Sequence, residues 1–204
     1  MSYFFLCLCA ALIALAPSGR AAGVFLDAPV SYSATRNVTV DGKPYTGRAF
    51  HVPGRERHEQ TLLGMDEVVI LDAAAAQGFL VLPSVKTYAQ FAFPPIFAEL
   101  LDPALPKDAV GEESIDGRPA TKYRVAKTAP DGTHGDGFIW LDRHGVLMKL
   151  VATVTAPGGR RSHIEAALSG LKEGAQAAAL FQPPANYAQL PPDALAPLLN
   201  MSLR

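Results

Sequence analysis

Gly137-Phe138-Ile139-Trp140-Leu141-Asp142, then Arg143-His144-Gly145, then Val146-Leu147-Met148-Lys149-Leu150-Val151: two apolar, β-prone runs face each other across a short polar connection that ends in glycine. This is the pattern of a β-hairpin, whose turn needs a residue tolerant of positive φ. A strand with one wet face alternates apolar and polar residues, whereas Ile139 and Leu141 are as apolar as Phe138 and Trp140. Both faces of this hairpin are therefore expected to meet something other than bulk water. What covers the second face is the functional question, and the pattern does not assign which pair points inward.

Outward from the hairpin the same grammar recurs. From Val30 to Phe93 short β-prone runs are cut by turn residues at intervals of about ten, the spacing of antiparallel sheet rather than βαβ units. Val38-Thr39-Val40 meets Asp41-Gly42, and Ile115 meets Asp116-Gly117, both hairpin signals. Arg55 to Leu62 is polar for a strand and is expected to be wet on at least one face. Val68-Val69-Ile70-Leu71 and Phe79-Leu80-Val81-Leu82 are apolar at every position and repeat the anomaly of the hairpin. After Pro94-Pro95, the residues Ile96, Phe97, Leu100 and Leu101 fall on one face of a short helix that cannot be stable alone. Such a helix must lie on apolar surface, so the expected fold is mainly β (α+β): an antiparallel, strongly curved half-barrel sheet with short helices capping its concave face. A last long strand runs from about Ser162 to Leu171. A Pro-rich tail follows, in which Pro191-Pro192-Asp193 can start a terminal helix.

The N-terminus reads as export. Tyr3 to Ala16 is an unbroken apolar run of signal-peptide length, and Pro17-Ser18-Gly19-Arg20-Ala21 supplies a break and a small-residue cleavage site. The expected division is therefore a signal peptide at 1–21 and one domain at 22–204, with a periplasmic location. The n-region carries no Lys or Arg, which keeps an uncleaved anchor as the alternative. The two cysteines, Cys7 and Cys9, both lie in the apolar run, so the mature chain is expected to contain no thiol and no disulfide. Cleavage removes one charged side chain, Arg20, from 18 Lys and Arg against 19 Asp and Glu, and leaves a slightly acidic domain. Nucleic-acid binding depends on clustered positive charge that releases counterions, and the slightly acidic balance does not favour it, so no nucleic-acid partner is expected.

Catalytic motifs are missing: there is no Gly-x-Ser-x-Gly, no His-Glu-x-x-His and no Walker-type phosphate loop. His51, His58, His134, His144 and His163 are not paired at metal-ligand spacing, and each reads as a solvated strand or turn histidine. Asp131 to Asp142 departs from a calcium loop at its fifth and sixth positions, where Gly135 and Asp136 stand. We therefore expect a non-catalytic protein with no metal and no cofactor. Arg48, His51, Arg55 and Arg57 bracket the Pro53-Gly54 turn and make the one basic concentration, whose arginines are readable as contacts to an anionic headgroup or an acidic partner, or as a charged edge that discourages sheet-to-sheet aggregation. The apolar residues most able to line a cavity are Leu80, Leu82, Tyr88, Phe91, Phe93, Phe138, Trp140, Met148 and Leu150, with Phe79 beside them and Phe97 and Leu101 on the capping helix.

Gly111-Glu112-Glu113-Ser114-Ile115-Asp116-Gly117-Arg118-Pro119-Ala120-Thr121-Lys122-Tyr123, Phe138-Ile139-Trp140-Leu141-Asp142 and Leu180-Phe181-Gln182-Pro183-Pro184-Ala185-Asn186-Tyr187 together resemble bacterial periplasmic proteins of the LolA/LolB-like superfamily. The nearest part of it looks like an uncharacterised group that ends in a comparable Leu-Phe-x-x-Pro-x-x-Tyr segment. The resemblance implies an open half-barrel with a hydrophobic cavity that takes a lipid or other apolar small molecule, or that serves an envelope protein partner in sensing. The cavity arginine of the lipoprotein carrier has no position assigned here, so lipoprotein transport itself is not implied.

Overall fold

The computed structural model describes residues 28–62, 64–93, 96 and 107–191. The expected signal peptide, the expected capping helix apart from Ile96, and the expected terminal helix beyond 191 lie outside the described residues.

The turn signals divide the described residues into twelve strands: β1 (Tyr32–Val40), β2 (Lys43–Val52), β3 (Arg55–Leu62), β4 (Met65–Asp72), β5 (Gln77–Leu82), β6 (Thr87–Ala92), β7 (Asp108–Ile115), β8 (Arg118–Thr128), β9 (His134–Asp142), β10 (Leu147–Thr155), β11 (Arg161–Glu173) and β12 (Ala188–Leu190). All belong to one open, strongly curved sheet in the order β12-β6-β5-β4-β3-β2-β1-β11-β10-β9-β8-β7. The sheet is two antiparallel meanders, β1 to β6 and β7 to β11, joined where β11 pairs with β1. The three-residue β12 runs parallel to its neighbour, β6.

Aspartates organise the turns. Asp41-Gly42 and Asp116-Gly117 both have positive φ at both positions, the twist that suits a two-residue hairpin. Each Asp also accepts a backbone N–H from β11, Asp41 from His163 and Asp116 from Gly170, which ties both meanders to the joining strand. In the β9–β10 hairpin, Asp142 Oδ1 accepts from the backbone N–H groups of His144 and Val146 at 2.8 and 3.0 Å, and Gly145 takes φ 74°. A bulge between Leu147 and Lys149 then lets both Leu147 and Met148 reach the same side.

Strand register sorts side chains onto two faces. Past β6, Ile96 is buried and lies 3.7 Å from the position a Cβ on Gly135 of β9 would take. We call the face of the sheet on which Ile96 lies the inner face. It carries Val69, Leu71 and Leu80 in one half and Ile139, Leu141, Met148 and Leu150 in the other. The curvature has a residue-level cause: Gly47 and Gly137 both belong to this face, and a Cβ there would meet the backbone oxygens of Glu59 and Val151 at 2.0 and 2.1 Å. The neighbouring strand folds over the glycine at each position, as at a barrel corner.

The anomaly of the all-apolar strands now has an explanation. In β4, Val69 and Leu71 point inward, while Val68 and Ile70 point outward and pack with Phe50, Val81 and Phe181. Phe181 belongs to a C-terminal strap, residues 177–190, that runs back over the outer face of β2 to β6 through a 3₁₀ turn (Ala178–Phe181) and ends as β12. In β9 the outward pair is Phe138 and Trp140, and lysine side chains cover them: Lys122 lies 4.7 and 4.8 Å from the two ring centroids, and Lys149 lies 4.8 Å from that of Trp140. The aliphatic stem of a lysine can shield apolar surface while its head stays wet.

Candidate functional site

The expected cavity lining divides between the faces. Leu80, Leu82, Phe91, Met148 and Leu150 belong to the inner face. Leu80 and Met148 are shut off from solvent, and the ring of Phe91 occupies the space left by Gly78. Phe93 is half-buried just past β6, its N–H donating to the carbonyl of Ala76. Tyr88, Phe138 and Trp140 belong to the opposite face and cannot share a cavity with the first group. Tyr88 meets Phe79 edge-on at 6.1 Å under the strap, and Trp140 is 3 % exposed beneath its two lysines. Phe97 and Leu101 lie outside the described residues.

The three arginines are also on the outer face, and each is engaged. Arg57 donates to Glu59 at 2.8 Å and to the carbonyl of Leu180 at 3.0 Å, and so holds the strap. Arg55 Nε lies 3.0 Å from Asp72, and Arg48 covers the ring of Phe50 at 4.6 Å with Glu59 3.9 Å away.

Sequence reading missed a buried polar cluster on the inner face where β1, β2 and β3 lie side by side. Register places Tyr32 opposite His51 and His51 opposite Glu56, with His58 one row along. His51 is 0 % exposed and His58 7 %, which corrects the expectation that both are solvated. β3, expected to be wet on at least one face, leaves the Arg55 side chain 44 % exposed on its odd-numbered face, while the sheet's curvature turns its even-numbered residues into the interior. Glu56 sits at the centre: it accepts from Tyr32 Oη at 3.1 Å and contacts His58 Nε2 at 2.8 Å and His51 Nδ1 at 3.5 Å. His51 Nε2 faces the carbonyl of Ala28 at 3.0 Å and must carry a proton to donate to it, while the ring stacks on Tyr32 at 4.9 Å. Burial pushes the Glu56 carboxyl up, but the contacts from His51 and His58 outweigh it and hold the group well below the usual carboxylate range. Burial, and then the Glu56 charge, push the Tyr32 phenol up. The signal was the period-two spacing of Glu56, His58 and Gln60, which puts three polar side chains on one face.

A second cluster closes the end of the opening hairpin. Arg118 donates to Asp142 Oδ2 at 3.0 Å and to Glu173, and His144 Nδ1 lies 3.3 Å from Glu173. The Glu173 side chain raises the affinity of Arg118 for its proton, and Arg118 in turn holds the Glu173 carboxyl down. Asp142, His144 and Glu173 are the one set among the described residues whose donor atoms converge within 4.8 Å as a metal would require. The guanidinium of Arg118 already supplies positive charge between its two acids, so the arrangement is a clamp between β8, β9 and β11.

No protein-family profile matches the chain, and neither does any curated protein. Solved structures do. An uncharacterised conserved protein from Thermus thermophilus is 13 % identical, with a TM-score of 0.50 over 79 % of this chain and 90 % of that one. MucB in complex with MucA(peri) is 22 % identical, with a TM-score of 0.48 over 79 % of this chain. This chain spans 57 % of the length of that MucB chain. A LolA superfamily protein from Nitrosomonas europaea is 10 % identical, with a TM-score of 0.40 over 76 % of this chain and 90 % of that one. At these identities the likeness is one of fold alone. The open, strongly curved antiparallel sheet expected from the sequence is the fold found.

Proposed function

We propose that this protein is a non-catalytic component of the bacterial envelope that binds a lipid or other apolar molecule against the inner face of its half-barrel. The observation that carries the reading is that all twelve strands form one sheet whose inner face presents apolar side chains on either side of the polar cluster, Val69, Leu71 and Leu80 in one half and Ile139, Met148 and Leu150 in the other. A β-sandwich covers such a face with a second sheet; a single curved sheet must cover it with connecting chain, with ligand, or with both. A cavity that takes a lipid or other apolar molecule is also one of the two roles that the resemblance of the sequence to LolA/LolB-like proteins implies. Native mass spectrometry of protein purified from the envelope tests this: a co-purifying lipid mass on a chain beginning near Ala22 is expected. An apo mass, with no uptake of a fluorescent fatty acid, would remove the carrier reading.

A second reading rests on β7. It is the last strand of the sheet, Asp108 to Ser114 are all exposed, and its outer edge has no strand partner among the described residues. Such an edge can accept an added strand from another protein. A protein adduct in the same spectrum, lost on replacing Gly111 with proline, would favour this envelope-partner function.

A further inference from the structure

The strap creates a recess that neither reading uses. Between it and the outer face of β3 to β6 lies a pocket of about 350 Å³, on the opposite side of the sheet from the inner face. One wall is a row of polar residues fixed by register, Arg55 opposite Asp72 and Asp72 opposite Gln77. The rest combines the rings of Phe79, Tyr88 and Tyr187 with strap residues that include Gln182, Pro183 and Pro184.

The walls are held independently of any ligand. The strap is tied down by Arg57 to the carbonyl of Leu180, by the N–H of Ala188 to the carbonyl of Lys86, and by Tyr88 Oη to the Gln189 side chain. Asp72 is locked as well, its Oδ1 accepting the N–H of Ala75 at 3.1 Å while its Oδ2 lies 3.0 Å from Arg55 Nε. The Nη groups of Arg55 have no partner among the described residues, and the side chain is 44 % exposed. A planar fork of donors, fixed at one end and free at the other, is the geometry that binds a carboxylate. Beside it, ring faces and prolines offer flat apolar contact for one ring.

We propose that this pocket binds a small aromatic carboxylate, its anion on the free edge of Arg55 and its ring between Phe79, Tyr88 and Pro184. The volume is near the lower end for small-molecule sites, roughly 300–1,000 Å³, and suits a single ring with a short acid arm. The site is independent of the inner face, so fatty-acid uptake there is expected to be unchanged when this one is disabled.

Calorimetric titration of the full chain with 3-phenylpropionate and its neutral amide tests the proposal. The acid is expected to bind more tightly than the amide, and Arg55→Gln to weaken the acid roughly tenfold or more while leaving the amide unaffected. Arg48→Gln, on the same face but outside the pocket, is expected to change neither. Equal affinity of acid and amide for the wild type, no binding of either, or an Arg55→Gln variant that binds the acid normally would overturn the proposal. If Arg55→Gln fails to fold, amide chemical shifts of the wild type decide: shifts at Gln77, Phe79 and Ala185 on adding acid uphold it, and shifts confined elsewhere overturn it.

Discussion

Glu56 shows how one side chain can couple stability to pH in this sheet. Its carboxylate is nearly buried and is approached by Tyr32, His51 and His58, so the folded protein loses its charge only at a pH well below the ordinary value of about 4.3. As the pH falls past that value, the unfolded chain takes up a proton on Glu56 and the folded one does not. The contribution of Glu56 is therefore fully present above about pH 4.3 and is lost progressively as the pH drops toward the folded value. Glu56→Gln is expected to cost on the order of 3 kcal/mol at neutral pH, because it leaves two buried imidazoles without their acid. The same variant should flatten the acid limb of a plot of stability against pH, measured by urea unfolding between roughly pH 3 and 7. An unchanged acid limb would show that other carboxylates set it.

At the scale of elements, the strap decides how β3 to β6 meet solvent. Phe181 is 4 % exposed and packs on Phe50, Val68, Ile70 and Val81, so it closes the outer face much as a second layer would. Phe181→Ala is expected to destabilise the domain by about 3–5 kcal/mol, the range for removing a buried aromatic, and to increase binding of a dye that reports exposed apolar surface. A milder lesion, Arg57→Gln, removes the donor to the Leu180 carbonyl while leaving the apolar contacts, and so should raise hydrogen exchange in residues 177–190 more than it lowers the melting temperature. Equal protection in wild type and variant would mean that packing alone holds the strap.

For the whole molecule, sidedness is the property that separates a ligand face from a supporting one. Leu80, Met148 and Leu150 point inward, while Phe138 and Trp140 point outward under lysines. In the carrier reading, Leu80→Ala, Met148→Ala and Leu150→Ala should each change fatty-acid uptake, and Phe138→Ala and Trp140→Ala should change stability alone. Uptake lost only in the outward pair would place the ligand on the other face of the sheet. Two of the expected cavity residues, Phe97 and Leu101, belong to the segment that links β6 to β7 and lie outside the described residues.

The local pattern by itself determined the mainly antiparallel β architecture, most strand positions and the two Asp-Gly hairpin turns, because alternation and turn chemistry are properties of neighbours in sequence. It also showed that Val68 to Leu71 and Phe138 to Leu141 were apolar on both sides. Only tertiary structure decided what lay against each side: a strap from more than a hundred residues downstream over one, and lysine stems from the neighbouring strands over the other. The same holds for the histidines. His51 and His58 each read as a solvated strand histidine, yet both are buried, and the spacing that puts His58 on one face with Glu56 and Gln60 does not say which way that face points. Burial there follows from the curvature of the sheet, set where close strand approach admits only glycine at positions 47 and 137, and curvature is a relation between strands that no single strand encodes.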